Sequence, residues 1–129
     1  MNGWLRIVVL GAISILAFNV VASVSSKFTG IPYTYAVIGS ALIYFAVGFF
    51  VVRATGSVGQ AALGAGVVGL VEGTVGWRLS QMIGPVVPPD AMGDDPIRTF
   101  AVVATVVMVS AIAVAIGAVG GMVGKRQLA

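Results

Sequence analysis

Residues 58–83 read VGQAALGAGVVGLVEGTVGWRLSQMI, and up to Arg78 the only charge in this stretch is Glu72. A run of that length with a single acid can cross a hydrocarbon core of roughly 30 Å as a helix. In water its glycines would weaken a helix, each by about 1 kcal/mol against alanine. In lipid they have a use. No hydrophobic force joins one apolar helix to another there, and small residues let backbones approach closely enough for dispersion to act. Gly59, Ala62, Gly66, Gly69, Gly73 and Gly76 recur at spacings of three and four, which places them along one helix face. Gly69 and Gly73 make a GxxxG pair inside that stripe.

Three further apolar runs flank this one, residues 4–24, 33–52 and 98–123. The expected fold is therefore all-α, a single transmembrane domain of four helices with short loops. Residues 25–32 and 53–57 and the Pro-rich stretch 84–97 separate the runs. Gly30 and Pro32 interrupt any helix after the first run, Ser57 suits the N-cap of the third, and Asp95 before Pro96 reads as the start of the fourth. The runs are too long, and lack the alternation, for membrane β-strands. Arg6 ahead of an apolar stretch, with Val20-Val21-Ala22 before Ser23, also fits a secretory leader; an uncleaved first span is the expectation adopted. The two halves of the chain do not repeat each other.

Composition supports lipid as the solvent. Of 129 residues, 59% are hydrophobic and 9% charged, against roughly 25% charged in a soluble domain. With no Cys and no His, disulfides, thiol or imidazole catalysis and the usual zinc sites are excluded, and neither an enzyme nor a cofactor is expected. The net charge of +3 comes from bases placed singly or in pairs at the ends of the runs, so no nucleic-acid surface is formed. One side of the membrane holds Arg6, Arg53, Lys125 and Arg126; the other holds Lys27, Arg78 and Arg98 with Asp90, Asp94 and Asp95. That margin favours both termini in the cytoplasm. Trp4, Phe49 and Phe50 then sit at the inner boundary, and Phe28, Tyr33, Tyr35, Trp77 and Phe100 at the outer one.

The fourth run repeats the small-residue device in Ser110, Ala113, Gly117, Gly120 and Gly124, with Gly117 and Gly121 as a second GxxxG pair. The stripe of the third run is expected to pack inside the bundle. The terminal fourth helix has fewer neighbours, so its face is open to either an internal partner or a second copy. Association with itself or with a larger membrane complex is the leading functional expectation.

The alternative rests on Glu72, the only Glu in the chain. An unpaired charge at bilayer depth costs from about 2.5 kcal/mol upward, so such residues face the bundle and mark pathways or relays. Asn19, Ser40 and Thr105 fall at matching depth on the other three helices, roughly 9 to 12 Å beneath the outer boundary at 1.5 Å per residue. This polar layer suits an oligomeric transporter or channel for protons, cations or cationic solutes. It also suits a protonated structural acid, or an ion pair with Arg98 or Lys27 reaching down; Arg78 lies off the face of Glu72. Tyr44, Ser14 and Thr74 are expected to satisfy nearby polar groups. The spacing of Asp90, Asp94 and Asp95 matches no cation loop, and the scattered Met residues read as core filler.

Overall fold

The computed structural model describes residues 3–30, 36–76, 78, 82 and 95–128. Within them the chain is a bundle of four helices, each long and apolar enough to cross a membrane, with no strand. Helix α1 is Gly3–Thr29, α2 is Ala36–Thr55, and α3 is Val58–Val71, continued by a π-helical turn at Glu72–Gly76; α4 is Asp95–Leu128.

Helices α1 and α4 outrun the apolar runs that announce them at both ends, and α2 does so at its C-terminal end. Helix α1 continues through Ser25, Ser26 and Lys27 to Thr29, whose hydroxyl donates to the Ser25 carbonyl at 2.6 Å. Interfacial polar residues end a hydropathy window without ending a helix. The ends are set by glycines: Gly30 and Gly56 have φ of 75° and 74°, and their N–H groups close on Ser26 and Val52 carbonyls at 3.0 and 2.7 Å. Only glycine enters that left-handed region without a Cβ penalty. The second connection thus shrinks to Gly56 and Ser57. There the Ser57 hydroxyl accepts from the Gln60 N–H at 3.2 Å, the cap expected from the sequence. The stretches around Tyr33, Tyr35, Trp77 and Asp90 to Asp94 lie outside the described residues.

Helix α1 packs on α2 and α3, α4 packs on α2 and α3, and α1 and α4 do not touch among the described residues. The core between them is small-volume: Val8, Ile15, Tyr44, Val47, Val51, Val52, Ala61, Ala65, Val68 and Ala113. At the end holding both chain termini, Trp4 Nε1 donates to the Gln60 carbonyl at 3.0 Å, and Arg53 lies over the Phe49 ring. Lipid-facing positions carry Leu10, Ile13, Leu42, Leu63, Val107 and other large apolar side chains.

The glycines define the helix contacts. Along the antiparallel pair α3 and α4, Ala61 meets Gly121, Ala65 meets Gly117 and Gly69 meets Ala113. Each step is four residues on both helices, which aligns one small-residue seam with another. Gly66 faces Val114, Gly73 faces the Val106 backbone, and Gly76 faces the Asn19 amide. Along the parallel pair α2 and α4, Gly120 lies on the Phe45 carbonyl and Gly124 on that of Phe49. Helix α4 therefore uses two glycine faces at once, and both are occupied within the chain. Of the two partners left open for Gly117, Gly120, Gly121 and Gly124, an internal one or a second copy, the contacts are with the chain's own helices. Sequence spacing shows that a helix has small faces, but not which neighbours fill them. Gly48, pressed against Gly117, and Gly39, pressed against the Phe18 ring, escaped notice because they belong to no long stripe.

Candidate functional site

The site begins where α3 changes its winding. The sequence suggests one α-helix through Ile83, but at Glu72 the ladder opens into the π-turn Glu72–Gly76. The Glu72 N–H is shared between the carbonyls of Gly69 and Val68. Thr74 Oγ1 donates to the Leu70 carbonyl at 2.7 Å and approaches that of Val71 at 3.4 Å. A hydroxyl that takes up backbone carbonyls competes with the helix ladder, and Gly73 and Gly76 relax its geometry on either side. Short π-turns of this kind are frequent at functional sites.

Glu72 projects from this turn to neighbours on two other helices. Ser40 Oγ on α2 donates to Glu72 Oε1 at 2.6 Å. Asn19 Nδ2 on α1 approaches the same oxygen at 3.4 Å while donating to the Ile15 carbonyl at 2.8 Å. Asn19 and Ser40 are buried, at 2% and 7% exposure, so these donors are held away from lipid. Both fall on Oε1; among the described residues Oε2 receives no hydrogen bond. No described basic side chain pairs with Glu72: its partners are neutral. Lys27 is exposed near the end of α1, and the Arg98 side chain lies outside the described part of the chain.

Beside the carboxyl is a cavity of about 250 Å³ bordered by Asn19, Ser40, Glu72 and Thr105. The four polar residues singled out by depth thus come from four helices to one space. Thr105 does not reach Glu72; its hydroxyl donates to the Ala101 carbonyl at 2.8 Å, one turn back along α4. The rest of the wall is largely apolar, including Val37, Ala41, Met108, Ile112 and Ile116. The sequence reading left Tyr44 out of this polar layer, yet it borders the cavity, is 3% exposed, and has a buried hydroxyl with no hydrogen-bond partner among the described residues. The expectation that it satisfies a neighbour is corrected: no described group donates to this hydroxyl or accepts from it.

The cavity owes its position to the glycines. Toward the terminal end of the bundle α2 and α4 touch backbone to backbone at Gly48 and Gly117. About two turns along, the same helices border open space at Val37, Ser40, Met108 and Ile112. The site is therefore closed on the side of the chain termini. Among the described residues no cluster of three or more His, Cys, Asp or Glu side chains is present. Comparison with protein-family models, curated proteins and solved structures finds no match to this chain.

Proposed function

We propose that this is an integral membrane protein, without catalytic activity of its own, that takes up a proton or a cation at Glu72 and passes it through the bilayer. One observation carries the reading: a lone acid on a π-turn, held by Ser40 and Asn19 from two other helices, stands at the edge of a half-open cavity between α2 and α4. Intramembrane acids facing a cavity are the usual element of proton relays and ion paths. The glycine contact of α2 and α4 closes one end of the cavity, so passage needs those helices to part. The excess of basic residues on the side of the termini supports a cytoplasmic position for both.

Reconstituted liposomes test the proposal. Proton or cation flux should appear with the wild-type chain and fall to the empty-vesicle level in Glu72→Gln. Equal flux in the two proteins would remove Glu72 from any mechanism.

Association with a second copy or a larger membrane complex is the second reading. The observation in its favour is that α4 has a smaller share of buried residues than the other three helices and presents Phe100, Val103, Val107 and Met122 outward. The mass of the particle in a gentle detergent decides it, a strict monomer without co-purifying protein counting against.

A further inference from the structure

The cavity wall holds features that neither a proton nor a bare metal ion would use. An acid that only exchanged a proton needs no room beside it, yet Glu72 borders about 250 Å³ of space. An apolar cavity of roughly 150 Å³ already admits benzene. Bare calcium or magnesium asks for about six or more oxygen ligands, whereas most of this wall is hydrocarbon: Val37, Ala41, Val109, Ile112 and Ile116, with the Met108 thioether chain. Polar capacity is concentrated at one end. Among the described residues Glu72 Oε2 is without a donor and the buried Tyr44 hydroxyl is without a partner.

We infer that the cavity is a binding site for a small organic ammonium ion, with a hydrocarbon body about the size of a six-membered ring. The ammonium group donates to Glu72 Oε2 and lies near Tyr44, whose ring face attracts a cation. The body of the ligand rests against Val37, Met108, Ile112 and Ile116. The assignment rests on the reading of Glu72 as a cation site and narrows it to a ligand class. Its physical basis is complementarity: a carboxylate in an apolar surround is stabilised by a cation that brings its own hydrocarbon cover, and a neutral molecule of equal shape leaves the charge unpaired.

Benzylammonium is the probe, titrated calorimetrically into the full chain in lipid nanodiscs, with benzyl alcohol as its neutral counterpart. Saturable binding of benzylammonium is expected, at least about thirtyfold tighter than benzyl alcohol and lost to the same extent in Glu72→Gln. Ile112→Trp leaves every polar group in place, fills the hydrocarbon end, and should weaken binding by about tenfold or more. It keeps the test open if Glu72→Gln fails to fold. Equal affinity for the alcohol and the ammonium, or full binding in Ile112→Trp, would overturn the assignment. Absence of benzylammonium binding in a protein whose proton or sodium flux still depends on Glu72 would also overturn it, with the broader reading intact. Flux that ignores Glu72 would remove both.

Discussion

The Gly117 carbonyl on α4 occupies the place that a Cβ on Gly48 of α2 would fill. Two backbones are in contact there, and neither has a flexible end that could swing aside. Gly48→Ala should therefore destabilise the bundle by about 1 to 3 kcal/mol or more, the range for forced overpacking. Gly117→Leu should behave like Gly69→Leu, because Gly117 meets Ala65 and Gly69 meets Ala113 along one seam. Thermal unfolding in a single detergent ranks these variants; a Gly117→Leu protein as stable as wild type would contradict the internal packing of α4.

Gly59 supplies the internal control. A Cβ there would meet only the Ser57 hydroxyl oxygen, at 3.6 Å, which is ordinary contact. Gly59→Ala should leave the fold intact and raise helix stability by up to about 1 kcal/mol. Destabilisation comparable to Gly48→Ala would mean that another surface covers Gly59.

How much of this was readable beforehand depends on what fixes each feature. Four spans follow from the sequence because the scarcity of charge and the length of the apolar runs leave no other solution. The convergence of Asn19, Ser40, Glu72 and Thr105 on one cavity follows from helical rise, which converts distance from an interface into depth. The π-turn was not legible, since Glu72-Gly73-Thr74 differs little from other glycine-containing helix sequences until Thr74 is seen bonded to Leu70. Nor was the pairing of glycine faces: Gly120 could meet any smooth helix, and only the fold selects Phe45. Tyr44 looked like an ordinary buried tyrosine because a missing partner leaves no mark in sequence.

The Ser40 to Glu72 bond should be measurable as a coupling. Ser40→Ala removes a short side-chain donor to the acid, so its cost should be about 1 to 3 kcal/mol in the wild-type background. It should be smaller when residue 72 has already been shortened in Glu72→Ala. A double-mutant cycle on thermal or denaturant unfolding reads the difference directly. Additive losses would show that the two side chains do not interact in the membrane.

Tyr44→Phe should leave the fold intact and its stability unchanged or higher. The Tyr44 hydroxyl is buried without a partner among the described residues, and an unsatisfied buried polar group costs about 1 to 3 kcal/mol. Removing it should leave the unfolding temperature unchanged or higher, with benzylammonium binding largely retained because the ring face remains. A marked loss of stability would reveal a hydrogen bond made by this hydroxyl in lipid.

Glu72→Gln separates a structural acid from one held by a buried cation. The partners of Glu72 among the described residues are the neutral donors Ser40 and Asn19. A glutamine keeps the shape of the side chain, and its amide oxygen can accept from both. The stability change should then be less than about 1 kcal/mol, the scale of one altered hydrogen bond. If Arg98 instead reached the site, the same substitution would strand its charge and cost roughly 3 to 5 kcal/mol. Unfolding of wild type and variant in one detergent distinguishes these cases, and flux through liposomes on the same preparations gives them meaning. A small stability change joined to lost flux is the expected result, because it assigns to the carboxyl group a role that the amide cannot fill. A large stability change would identify a cation partner and shift the problem from the cavity to the start of α4.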